Sequence, residues 1–142
     1  LEELHKGSEV VVASRYREGG GTERWNWARR MGSLVATKMA HVFLGISLSD
    51  PMSGYFVIRR KDFRQIYSGI DGKGFKILLE IIARLQPSRV GEVPYTFRAR
   101  TAGESKLTSR VIFQYFGQLW RLSSVARAEA RALVPTPRPL PR

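Results

Sequence analysis

The chain alternates between short β-branched runs and longer stretches whose apolar residues recur every three or four positions. Leu1 to Lys6 reads as the end of a helix closed by Gly7. Ser8 to Ser14, "SEVVVAS", predicts a buried strand, and Glu18 to Thr22 a loop. From Trp25 to Leu44, Met31, Leu34, Val35, Val42 and Phe43 fall at helical spacings. That pattern predicts a long amphipathic helix stopped by Gly45. Ser47 to Gly54, "SLSDPMSG", is dense in turn formers. "YFVIRR" predicts a strand, "KDFRQIY" a short helix, and "FKILLEIIARL" a strongly apolar helix ending before Pro87. "RVGEVPYTFR" reads as one strand with Pro94 near an edge or bulge. A polar loop, "TAGESKLTS", leads to a second long helix, Arg110 to Val134, and a proline-rich, disordered tail. The order strand, helix, strand, helix, helix, strand, helix points to an α/β fold with few strands.

Composition narrows the chemistry. The 142 residues have the length of one domain, and 43% are hydrophobic, enough for a core. No cysteine is present, which removes disulfides and thiolate chemistry, and two histidines do not make a histidine-rich metal site. Lys plus Arg number 24 against 12 for Asp plus Glu, a formal charge of +12. Such an excess predicts a polyanionic partner: nucleic acid, an anionic membrane or a phosphorylated substrate. No apolar run approaches the ~18–20 residues of a membrane span. The opening "LEELHKG" has the pattern neither of a signal peptide nor of a chain start, so a fragment is expected.

Four clusters carry candidate chemistry. "VVASRYREGGG" ends an apolar run in Ser14, Arg15 and Tyr16, and three glycines follow. Those glycines match neither G-x-G-x-x-G nor a P-loop and read as a flexible turn. Arg15 stands where open α/β sheets hold ligands, beyond the carboxyl end of a strand. Arg29 and Ser33 share a face in the early turns of the next helix, so Arg15, Arg29 and Ser33 either converge on one phosphate or solvate an exposed face. In "SDPMSGYF", Asp50 suits an Asp-Pro turn whose side chain bonds to nearby amides. Lys76 in "GKGFKILLE" snorkels outward or reaches a ligand phosphate. Arg98, Arg100 and Lys106 surround a small-residue loop that is either an anion-closing lid or an ordinary basic loop.

Taken in order, "SRY-x2-GGG-x3-W-x3-R-x3-S", "DPMSGYF", "GFKILLE", "EVPYTF" and "R-x2-GESKL" resemble the polyprenyl-phosphate sugar transferases of glycosyltransferase family 2. The resemblance runs from about Gly7 to Arg121 and is closest to the dolichol-phosphate mannose synthases. It implies the C-terminal, acceptor-binding half of a GT-A fold, with residues 1–109 in that catalytic domain. Residues 110–134 would form an amphipathic helix, either packed on its own domain or lying at the membrane interface, and 135–142 a disordered tail. The implied reaction transfers mannose from GDP-mannose to the phosphate of dolichol or undecaprenol, at the cytoplasmic face of a membrane.

By resemblance, Arg15, Arg29 and Ser33 hold the acceptor phosphate, and Lys76 and Arg100 the donor diphosphate. Asp50 and Ser53 belong to a turn that shapes the acceptor pocket. A Mg²⁺ or Mn²⁺ ion is implied on the donor, with its ligands expected in an Asp-x-Asp motif preceding Leu1, since Asp50, Asp62 and Asp71 are scattered. The 142 residues are therefore expected to be inactive alone. Two rival readings remain: a non-catalytic remnant that binds lipid phosphate, and a nucleic-acid module in which Tyr16, Trp25, Trp27 and Tyr95 stack on bases.

Overall fold

The computed structural model describes residues 2–23, 25, 27–70, 76–98 and 109–132. A short helix α1 (Glu2–His5) leads into β1 (Val10–Ser14). There follow β2 (Gly21–Thr22), α2 (Trp27–Leu44), β3 (Phe56–Ile58), α3 (Arg60–Ile66) and a 3₁₀ turn, Tyr67–Gly69. The rest comprises α4 (Ile77–Leu85), β4 (Val90–Pro94), β5 (Thr96–Phe97) and α5 (Ser109–Ala132). The α/β class expected from the pattern is thus the class observed.

β1 is the centre of a mixed sheet ordered β3-β1-β4. It runs antiparallel to β3, with Val12 opposite Phe56, and parallel to β4, with Ser14 opposite Pro94. A strand paired on both edges is read as a near-continuous apolar run, and "VVVAS" is one. Pro94 ends β4 on the outer side of the sheet, where its missing N–H costs no ladder bond.

α4 lies between two apolar clusters, which is why it is apolar nearly all round. Leu78, Ile81 and Ile82 pack on Val10, Val12, Leu48 and Ile66 beneath the sheet. Leu79 and Ala83 face Ala40 and Leu44 of α2 and Tyr115, Leu119, Leu122 and Ala126 of α5. The small residues on α2 let α5 approach closely, and the Tyr115 hydroxyl donates to the Ala36 carbonyl at 2.7 Å. Burial raises the pKa of that phenol well above its ordinary value. Glu80, buried on α4, accepts from Arg84 at 3.2 Å and faces Arg121 of α5 at 3.6 Å.

Three expectations need correction. "RVGEVPYTFR" is two strands: β4 joins the main sheet, and β5 pairs in parallel with β2. Gly21 and Thr22 accordingly belong to a strand and not to the loop. The apolar stripe of α2 is the third: Met31, Leu34, Val35 and Val42 are exposed, whereas Thr37, Ala40 and Leu44 are buried. The period of the stripe predicted the helix correctly, but the face turned inward is the small-residue face.

Candidate functional site

The site forms where β1 ends. Because β3 is antiparallel and β4 parallel to β1, the residue before β3 and the residue after β4 both arrive there. These are Tyr55 and Tyr95. Ala13 N donates to the Tyr55 carbonyl, Tyr95 N donates to the Ser14 carbonyl at 2.8 Å, and the two rings lie 5.0 Å apart.

The glycines serve a tight turn. Gly20 N donates to the Arg17 carbonyl at 2.8 Å, and Gly19 adopts φ +85°. A Cβ on Gly20 would stand 2.6 Å from the Ser14 carbonyl oxygen, so a side chain there would push the loop off β1. The turn is closed by a backbone hydrogen bond and requires glycine at position 20. It folds the chain back so that Trp25 comes beside Arg15.

Arg15 is anchored by a buried carboxylate. Its Nε and Nη2 each donate at 2.6 Å to the two carboxylate oxygens of Asp50, and its backbone N–H donates to Oδ2 at 3.1 Å. The side chains are 10% and 0% exposed. Burial opposes the charge of Arg15, and Asp50 more than offsets it, so the guanidinium pKa rises above the ordinary value. Asp50 therefore bonds across 35 residues to Arg15, not to the amides of its own turn. That turn is closed by Ser53 N donating to the Asp50 carbonyl. Ser53 Oγ donates to the Ala13 carbonyl at 2.7 Å and accepts from Tyr55 N, so it fixes the turn onto β1.

Arg29 and Ser33 arrive from the first two turns of α2. The guanidinium of Arg29 lies 4.4 Å from the centre of the Trp25 ring, and that of Arg15 lies 5.0 Å from the same ring. Tyr16 OH donates to Ser33 Oγ at 2.7 Å, leaving the serine proton able to donate elsewhere, and Arg15 lies 5.5 Å from the Tyr16 ring. Arg15, Arg29 and Ser33 are thus gathered around Trp25 and Tyr16, as their spacing allowed. The first turn of α2 holds no acidic residue, so two arginines stand at a helix end that favours negative charge.

Lys76 precedes α4 and is part-buried, with Nζ 3.5 Å from the Met52 carbonyl. Burial lowers its pKa, the charge of Arg15 lowers it further, and Asp50 partly restores it. Lys76 therefore shares the electrostatic field of Arg15 and does not simply snorkel away. Arg100 and Lys106 lie outside the described residues, as does the loop they belong to. Arg98 is exposed just after β5.

The local carboxylates are committed elsewhere. Both oxygens of Asp50 hold Arg15, and Glu92 accepts from Ser49 N and Oγ at 2.7 and 2.8 Å. Among the described residues no three acidic or histidine side chains gather as a metal would need. These residues do not fit a divalent cation.

Sequence reasoning named Arg15, Arg29 and Ser33 but gave Trp25 and Tyr16 no part in the phosphate site. The adjacency "SRY" was the available signal for Tyr16. Nothing in the spacing placed Trp25 against both arginines.

No family model matches the chain. Among curated proteins, it is similar to a dolichol-phosphate mannosyltransferase of Pyrococcus furiosus, 36% identical over 126 residues, 86% of this chain and 35% of the relative. A dolichol-phosphate mannosyltransferase of Saccharomyces cerevisiae is 42% identical over 129 residues, 86% of this chain and 47% of the relative. An undecaprenyl-phosphate mannosyltransferase of Micrococcus luteus is 30% identical over 132 residues, 91% of this chain and 54% of the relative. The chain spans about a third to a half of the length of these curated relatives.

Proposed function

We propose that this chain, similar over 86–91% of its length to dolichol- and undecaprenyl-phosphate mannosyltransferases, belongs to the polyprenyl-phosphate sugar transferases and is the acceptor-binding part of a mannosyltransferase with a GT-A fold. Its task is to hold the phosphate of a polyprenol while mannose arrives from GDP-mannose. The observation that carries this reading is the grouping of Arg15, Arg29 and Ser33 around Trp25 and Tyr16 at the end of β1.

The chemistry suits such a site. The acceptor is already an anion, so its phosphate oxygen is a nucleophile without a general base. It attacks the anomeric carbon, the bond to the donor diphosphate breaks, and the diphosphate leaves with the electron pair, inverting the centre. The barrier to overcome is the repulsion between two phosphate groups, which fixed cations around both relieve. Arg15 and Arg29 meet the acceptor phosphate, Ser33 donates its hydroxyl to it, and Lys76 with Arg100 meets the donor diphosphate. Asp50 and Ser53 hold the turn beneath. Mg²⁺ or Mn²⁺ would neutralise the donor diphosphate, and we assign its ligands to carboxylates outside these 142 residues. The chain by itself is then a lipid-phosphate binder without transfer activity.

The lipid requires a membrane surface, and the exposed apolar side chains of two adjacent helices support that setting. On α2, Trp27 and Val42 are 79% and 76% exposed; on α5, Phe113 and Trp120 are 76% and 72% exposed. Arg30 and Lys38 on α2 and Arg127 and Arg131 on α5 are exposed beside them. Aromatic and basic residues together suit the headgroup region. No helix among the described residues is long and apolar enough to cross a bilayer.

Calorimetric titration of the chain with farnesyl phosphate tests the reading. Binding that falls at least about tenfold in Arg29→Ala, and that DNA does not displace, is the expected result. Steeply salt-dependent DNA binding with no affinity for farnesyl phosphate would favour the nucleic-acid reading instead.

A further inference from the structure

We propose that Asp50 is the positioning residue of the phosphate site: it holds Arg15 so that the free edge of the guanidinium, Nη1, faces the anion. The proposal rests on the reading that Arg15 meets the acceptor phosphate.

The geometry is that of a clamp. Asp50 takes Nε and Nη2 side by side, which removes rotation about the last bonds of the arginine, and takes the Arg15 backbone N–H as well. One carboxylate thereby fixes both the head and the root of the side chain. The clamp cannot drift, because its own turn is fastened to β1 through Ser53 and the Ala13 carbonyl and Pro51 is buried. Trp25 and Tyr16 lie against the guanidinium. Among the described residues Nη1 has no hydrogen-bond partner, so it is the edge left to donate. A long, flexible arginine costs conformational entropy when it is ordered by a ligand, and the clamp meets that cost during folding.

Two physical effects of Asp50 have opposite signs, and this makes the proposal testable. By charge alone Asp50 repels an anion, so removing it should tighten phosphate binding. By position it presents Arg15, so removing it should weaken binding. The structure favours the second effect, because the carboxylate is fully buried behind the guanidinium while Nη1 points away from it.

The 142-residue chain is titrated with farnesyl phosphate and, in parallel, with farnesol, at fixed salt. Asp50→Asn keeps the shape of the side chain and removes its charge; Arg15→Lys keeps the charge and removes the fork. Each is expected to weaken farnesyl phosphate binding about tenfold with farnesol binding unchanged, a split that general loosening of the fold would not produce. In an Arg15→Ala background, Asp50→Asn is expected to weaken binding no further, because only the repulsive effect of its charge is left to remove. Unchanged or tighter phosphate binding by Asp50→Asn overturns the proposal. If that variant does not fold, Arg15→Lys decides, and wild-type affinity in it overturns the proposal equally. Phosphate binding that depends on Arg29 but not on Asp50 removes the role of Asp50 alone. Absence of wild-type binding removes the acceptor-phosphate reading itself.

Discussion

The guanidinium of Arg29 lies 4.4 Å from the centre of the Trp25 ring, and Arg15 shares the same ring at 5.0 Å. Two like charges are held near one another by the negative face of one aromatic. Each such contact is worth about 0.5–2 kcal/mol. Trp25→Ala is expected to weaken farnesyl phosphate binding about three- to tenfold, and Trp25→Phe to recover most of the loss. Paired titrations check this; equal losses in both variants would assign the effect to the indole bulk or its buried N–H, which has no partner among the described residues.

Lys76 carries a pH signature. Burial and Arg15 depress its pKa in the folded chain, while the unfolded chain has the ordinary lysine value, about 10.4. Between the depressed value and the ordinary one, the unfolded state binds more protons, so stability rises with pH across that window. At pH 7 the buried charge is a cost. Lys76→Met is expected to raise the melting temperature at pH 7, and the advantage should shrink as pH climbs toward about 10.4. Melting curves from pH 7 to the alkaline limit of the fold measure it.

The pair Glu80 and Arg84 joins successive turns of α4, and Arg121 brings α5 to the same carboxylate. Each arginine is a counter-charge to this buried carboxylate, and removing a partner of a buried charge costs up to about 3–5 kcal/mol. Arg84→Ala is expected to cost more than Arg121→Ala, since Arg84 is the closer and the more buried. The double variant is expected to depart from the sum of the two, since both arginines act on one carboxylate. Urea unfolding of the three variants tests the non-additivity.

Thr37 buries its hydroxyl between α2 and its neighbours without a hydrogen-bond partner among the described residues. Replacing it with the near-isosteric valine removes an unsatisfied donor and acceptor. Thr37→Val is expected to be neutral or stabilising by up to about 1 kcal/mol in the same unfolding assay. A loss of stability would mean that the hydroxyl has a partner in solution.

The exposed aromatics of α5 are expected to matter to lipid and not to folding. Phe113→Ser and Trp120→Ser should leave the melting temperature within about 2 °C of wild type, since surface changes cost little. Each should lower binding to vesicles containing anionic phosphatidylglycerol, by about 1.5–3 kcal/mol for a ring fully inserted. Co-sedimentation with vesicles reads this directly, and unchanged binding would remove these rings from the interface.

Local pattern sufficed for much of this molecule. β1 follows from a β-branched run, α2 and α4 from their periods, and the end of α2 from Gly45, which adopts φ +64°. Periodicity and capping are properties of neighbouring residues, so they can be read without the fold. The order of five motif blocks likewise pointed to the relatives. Tertiary structure decided the rest. Apolar spacing marks a helix face that avoids water but not what covers it, so the inward face of α2 was settled by the small Ala40 and Thr37, which let α5 come close. The partner of Arg15 stands 35 residues away in a turn, and no spacing rule spans that distance. Electrostatic pairing acts through space, between chain segments that only the β3-β1-β4 topology brings together.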